Sequence, residues 1–204
     1  MPPGVPSAAG RRDSGRDAGA ELRRPRLLSD PAAIKAALAA AAKAAGFDVA
    51  RVVRPESGDA AAAGLAQFLA AGAHGDMAWM EDPRRRDPRA LWSDVRSVVM
   101  LGMNYGPDTD PRAALQARDR GAVSVYAQGD DYHELIKPRL KTVARELLAI
   151  AGGDVKVFVD TAALMEKPLA AAAGIGWQGK HTKLVSRDFC SWLFLGAIMT
   201  TLEL

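Results

Sequence analysis

The sequence predicts an α/β fold, a mixed central sheet flanked by helices. Three observations carry that expectation. From residue 31 onward, short apolar runs alternate with longer alanine-rich or amphipathic segments, the signature of strands layered with helices. The run SVVMLGMNYG, residues 97–106, is apolar without alternation, as a central strand covered on both faces must be. Residues 131–153 carry Leu135, Ile136, Leu140, Val143, Leu147 and Leu148, a spacing that fits one face of an amphipathic helix.

The remaining elements follow in order. Residues 1–30 hold Pro, Gly, Ser and Arg without apolar periodicity and read as a disordered tail, because such a segment buries too little surface to offset its ordering entropy. Asp13, Asp17 and Glu21 disfavour an organellar transit peptide, since those are poor in acid. One domain is expected over residues 31–204. Asp30 ahead of Pro31 is a helix-start signal, and the helix PAAIKAALAAAAKAAG should stop at Gly46. FDVARVV alternates as a strand does, and DAAAAGLAQFLAAG reads as a helix ending at Gly72. HGDMAWMEDPRRRDPRALWSD should give a short helix, an arginine-rich turn and a short helical piece. GAVSVYA, residues 121–127, reads as a short strand. The helix over 131–153 is expected despite Pro138, and VKVFVD is a strand ending on Asp160. ALMEKPLAAAAG is a helix closed by Gly174, and a last strand runs from Ser191 to Thr201.

Bulk properties bound the function. Of 204 residues, 49% are apolar and 25% charged, ordinary for a soluble globular domain. A net charge of +3 is weak grounds for a polyanionic partner. Cys190 is the one cysteine, which excludes an internal disulfide and a thiolate metal cage and points to the cytoplasm. No apolar run is long enough for a membrane span.

The stretch GIGWQGKHTK, residues 174–183, imitates a phosphate loop through Gly174, Gly179 and Lys180. His181 stands where such a loop needs Ser or Thr, and a helix precedes the glycines where a strand should. What remains is a polar loop with Trp177, Lys180, His181, Thr182 and Lys183, either a helix cap with a tight turn or a ligand cradle. Asp160 ends a strand, where α/β sheets place ligands, or else caps the next helix. YAQGDDYH, residues 126–133, gathers two tyrosines, two carboxylates and a histidine, with Asp130 or Asp131 as a possible cap. His74, His133 and His181 lack metal-ligand spacing. RRRDPR, residues 84–89, reads more readily as a solvated loop than as a binding patch.

Taken together, HGDMAWM, RRRDPRALW, RSVVMLGMNY, SVYAQGDDYHELIKPRLK, VFVDTAALMEKPLAAAAGIGWQGKHTKLVS and SWLFLGAIMTTLEL, in that order over about residues 32–204, resemble the epoxyqueuosine reductase family. The resemblance implies a nitroreductase-like, cobalamin-binding fold akin to that of reductive dehalogenases. It implies reduction of the epoxide of epoxyqueuosine to an alkene in tRNA, the last step of queuosine synthesis. It further implies base-off cobalamin, and two [4Fe–4S] clusters in a following ferredoxin-like domain. Carried over residue by residue, Asp160 is the proton donor and also borders the cofactor. Asp131, His133 and Lys167 face the substrate. Arg85, Ser124, Lys180, Lys183 and Ser191 are corrin contacts, so the glycine loop becomes a cofactor cradle. Arg84, Arg85, Arg86 and Arg89 are candidate contacts to the tRNA anticodon arm.

Three residues depart from the family pattern: Ala163 where Pro is frequent, Lys183 where Asn is common and Cys190 where Gly is common. One cysteine cannot ligate the clusters, so the chain reads as the N-terminal cobalamin-binding part, with electrons supplied by a donor or a separate iron–sulfur domain. The alternatives are a cobalamin-binding module without catalysis and an unrelated α/β domain.

Overall fold

The computed structural model describes residues 27–160 and 162–204. The expected tail thus lies mostly outside the described residues. At its described end, Leu28 donates its amide to Ile150 O at 2.7 Å. Asp30 caps α1 (Pro31–Ala44), accepting the amides of Ala32 and Ala33 while Pro31 fills the first turn. Gly46, at φ +86°, turns the chain into β1 (Val49–Val53). Helix α2 (Asp59–Ala70) closes at Gly72, as its sequence indicates.

Tight helical turns and the one-turn α3 (Pro88–Leu91) follow. Here the tripeptide Asp-Pro-Arg does structural work. Asp82, Asp87 and, later, Asp110 each accept the amide of the arginine two residues on. Each also binds that arginine's guanidinium, at 2.7, 2.9 and 3.0 Å respectively. The guanidinium holds each of the three carboxyls below its usual range, Asp82 to about 2.

The sheet has the order β1-β2-β6-β3, with β2 Ser97–Asn104, β3 Val155–Phe158 and β6 Leu193–Thr200. Every pairing in it is antiparallel. The α/β class holds, but the sheet is not mixed. An apolar run reports burial, whereas direction depends on where each connection re-enters the sheet. Val53 pairs with Val98, so the excursion through α2 and α3 leaves and returns at the same end.

Strand β2 is buried from Ser97 to Met103, and the parity of its residues explains why. Val99, Leu101 and Met103 face α1 and α4 (Tyr132–Ala151), packing with Ile34, Leu38, Ile136, Leu140 and Leu147. Val98 and Met100 face the other side, against Leu169, Ala170 and Ile175 around α5 (Glu166–Ala172). Helix α4 buries Ile136, Leu140, Val143 and Leu147, while Leu135 lies 45% exposed. Gly196 lets α4 come close: a Cβ there would lie 2.8 Å from Leu140 Cδ1.

Two expected elements differ. Residues 121–127 form no strand; Val125–Ala127 is a single tight turn closed by the Ala127 amide on Ser124 O. Among the described residues no strand pairs with it, and Val123 and Tyr126 remain 61% and 52% exposed. Helix α5 begins only at Glu166, because Ala163 and Leu164 are already buried in non-helical backbone.

Candidate functional site

Asp160 leaves the sheet just past β3, after the buried Val159. It adopts φ +50°, an uncommon conformation for a residue with a side chain. Two helix starts hold it there. The Asp160 amide donates to Glu166 Oε1 at 3.0 Å, from the first residue of α5. The hydroxyl of Tyr132, the first residue of α4, donates to Asp160 Oδ2. Asp160 does not cap the following helix, whose cap position is Met165.

The DYH turn converges on the same corner. Asp131, not Asp130, caps α4, accepting the His133 amide at 2.9 Å and lying 2.7 Å from His133 Nδ1. These contacts hold the Asp131 carboxyl below the usual range. Burial, and then the Asp160 carboxyl within hydrogen-bonding reach, push half-buried Glu166 up to about 8. Burial and the Asp160 carboxylate also raise the Tyr132 phenol, so it stays a proton-bearing donor. Lys167, next on α5, partly offsets the rise at Glu166. Asp131 and His133 at the start of α4 and Lys167 beside Glu166 on α5 thus lie on the two helix starts that hold Asp160.

An aromatic wall extends from this corner. Tyr132 stacks between His133 and Phe194, at 4.1 and 4.3 Å between ring centres. Phe194 stacks in turn on Tyr105 at 4.2 Å. The wall borders an open cleft of about 470 Å³ lined by Tyr105, Tyr126, Asp130, Asp131, Tyr132 and Phe194. A second cleft of about 470 Å³, lined by Leu115, Ser124 and Trp192 among others, meets the first at Val125.

The expected cofactor contacts are less concentrated. Ser124 lines the second cleft, and Ser191 O accepts the Tyr105 hydroxyl at 3.3 Å. Arg85 donates to Trp79 O at 3.0 Å and lies over the Trp79 ring at 4.5 Å. Lys180 and Lys183 are exposed, and among the described residues no hydrogen bond or ion pair joins either side chain to the Asp160 corner. His74 and His133 bind carboxylates, His74 through Glu81 at 2.9 Å.

The glycine-rich stretch is a helix cap followed by a hairpin, β4 (Trp177–Gln178) with β5 (Leu184–Val185). Gly174 turns at φ +79°. A Cβ on Gly176 would lie 2.1 Å from Val185 O, and one on Gly179 would strike the His181 ring at 2.6 Å. The hairpin backbone therefore requires Gly176, while a side chain at Gly179 would have to displace the His181 ring, and no helix start is present in this stretch to cradle a phosphate. Among the described residues, no group of three or more His, Cys, Asp or Glu side chains is placed to hold a metal ion. No described helix is long and apolar enough to cross a membrane.

Sequence reasoning noticed Tyr132 only within YAQGDDYH and gave it no role of its own, and it did not single out Glu166, Tyr105 or Phe194. Glu166 carried no local signal beyond a helix start. The aromatic wall joins Tyr105 and Tyr132 to Phe194, and no local pattern reports contacts between segments so far apart.

Known proteins match this chain consistently. The family profile described as "Epoxyqueuosine reductase QueG, DUF1730" matches residues 85–161. An epoxyqueuosine reductase of Gloeobacter violaceus is 42% identical over 165 residues, covering 80% of this chain and 50% of the relative. The chain spans about half the length of the curated relatives it matches. An epoxyqueuosine reductase structure from Streptococcus thermophilus superposes with a TM-score of 0.70 at 24% identity, covering 84% of this chain and 46% of that one. A second epoxyqueuosine reductase structure, determined with an epoxyqueuosine-modified tRNA stem loop, gives 0.69 at 22% identity with the same coverage. The two structures share this chain's fold.

Proposed function

On the strength of its likeness to epoxyqueuosine reductases over the span it covers, we propose that this chain forms the substrate-facing part of an enzyme that reduces the epoxide of epoxyqueuosine in tRNA to an alkene. The observation that supports this most is Asp160. An exposed carboxyl just past a strand accepts a hydrogen bond from Tyr132, and Tyr132 lines a cleft walled with aromatic rings.

The chemistry asks for such a group. An epoxide becomes an alkene only when its oxygen departs, and the oxygen departs only if protonated. Asp160 donates that proton. Tyr132 holds the Asp160 carboxyl in one orientation, and the Glu166 carboxyl fixes its backbone. Asp131 and His133 border the substrate, with Lys167 at the rim. The rings of Tyr105, Phe194 and Tyr132 stack on one another, so the wall they make offers ring edges and apolar surface to a base lifted from a tRNA loop. One relative was determined with such a stem loop. Arg84 and Arg89 are already bound to Asp82 and Asp87, so gripping phosphate would require an exchange of partners. A tRNA substrate sets this reaction in the cytoplasm.

Cobalamin, when bound, would supply the reducing electrons and a nucleophilic cobalt. The carried-over set fits it in part. A corrin rim carries amides, and Ser124, which lines the second cleft, offers them a hydroxyl, whereas Arg85, Lys180, Lys183 and Ser191 line neither cleft. A corrin would bring its own metal and asks for no cluster of protein ligands. Iron–sulfur clusters are another matter: they need several thiolates each, Cys190 is the single cysteine, and no electron step is assigned to this chain.

Anaerobic titration with cob(II)alamin should change its spectrum. Turnover of epoxyqueuosine tRNA with a supplied reductant should fall by about 100-fold or more in Asp160→Asn, with cobalamin binding retained. Unchanged turnover in that variant overturns the assignment of Asp160. Cobalamin binding without turnover in the unaltered protein would leave a non-catalytic binding module.

A further inference from the structure

We infer that Glu166 is a positioning residue for Asp160: Glu166 pins the Asp160 backbone, and the two carboxyls share one proton. The inference rests on Asp160 being the proton donor. Its own basis is geometric. Asp160 sits at φ +50°, outside the conformations its side chain favours, and its amide donates to Glu166 Oε1 at 3.0 Å. The Glu166 carboxyl is half-buried and within hydrogen-bonding reach of the Asp160 carboxyl. Two carboxylates this close do not both ionise readily, so the pair retains a proton well above the pH at which a lone carboxyl loses it.

The groups facing the pair are few. Lys167 lies on α5, and Tyr132 and Asp131 lie at the start of α4. Lys167 favours ionisation of Glu166, while the carboxyl of Asp160 opposes it. Tyr132 donates to Asp160 Oδ2, which leaves the other Asp160 oxygen for the shared proton. The proton balance is direct. Asp160 gives the pair's one proton to the departing oxygen, both carboxyls are then ionised, and water returns a proton to the pair.

Glu166→Gln separates this role from simple packing. The amide oxygen of Gln still accepts the Asp160 N–H, so the loop geometry survives, but the side chain holds no exchangeable carboxyl proton. Infrared titration of the chain itself should show a protonated-carboxyl band that persists at pH 7 and bleaches with a midpoint of about 8. In Glu166→Gln the band that persists at pH 7 should be absent. A variant band that still bleaches near pH 8, or an unaltered protein with no such band at pH 7, overturns the shared proton. Where turnover is measured, the variant's rate should begin to fall at a lower pH than the parent's, which stays flat to about pH 8. An unchanged pH profile in Glu166→Gln alongside an inactive Asp160→Asn overturns this inference and leaves the proton-donor assignment standing. A fully active Asp160→Asn overturns the assignment beneath it.

Discussion

The sheet interior and the Asp160 corner are built on opposite terms. In the interior, β2 buries alternate residues against opposite helical layers, and Val98, Val99, Met100 and Leu101 have no exposed surface. Backbone angles are ordinary there and apolar contacts do the holding. At the corner, an exposed aspartate sits at positive φ, held by a phenol and a half-buried carboxyl. The interior gains stability from burial. The corner accepts strain and a buried acid, features that cost stability and are tolerated where chemistry needs them.

The contrast can be broken or sharpened by substitution. Leu140→Ala removes a fully buried side chain from beneath Gly196 and should cost about 2–5 kcal/mol in urea unfolding. A loss below about 1 kcal/mol would mean that α4 is not anchored through this contact. Gly196→Ala forces a methyl against Leu140 and should cost about 1–3 kcal/mol, measured in the same way. The two losses should not add, because both disturb one contact. Cys190 lies at φ +48° and is exposed, so Cys190→Gly should gain about 0.5–1 kcal/mol by relieving left-handed strain. Thermal unfolding would detect the gain, and a loss would show that the Cys190 side chain contributes a contact of its own.

A pH series tests the corner directly. Glu166 titrates higher in the folded chain than its ordinary value of 4.5, at about 8. The folded state therefore binds more protons between those values, and stability is greatest below about pH 4.5 for this group and declines as pH rises through about 8. The melting temperature should fall over that window, and Glu166→Gln should flatten the slope.

The sequence revealed these two regions unequally, for physical reasons. The burial of SVVMLGMNYG and the buried stripe of α4 are local patterns, so they were legible; Leu135 was misjudged because it lies at the margin of that stripe. The Asp30 cap and the Gly46 and Gly72 stops were legible for the same reason. GAVSVYA was misread because an apolar alternation makes a strand only where another strand lies beside it. The antiparallel sheet went unread because direction belongs to connections, not to strands. The corner's motif residues, Asp160 and the DYH turn, stood out through their resemblance to a family. The clamp around Asp160 did not, since Tyr132 lies 28 residues before it and Glu166 lies on the next helix. The departure at Cys190, a position where the family pattern has glycine, coincides with a backbone angle that favours glycine.

The repeated Asp-Pro-Arg turn has a consequence for how this surface tolerates change. Each copy carries its own anion, its own cation and the proline that starts its turn. Such corners are self-sufficient modules: a drift of neighbouring residues leaves them intact, and transplanting the tripeptide to another loop would bring its charge balance along.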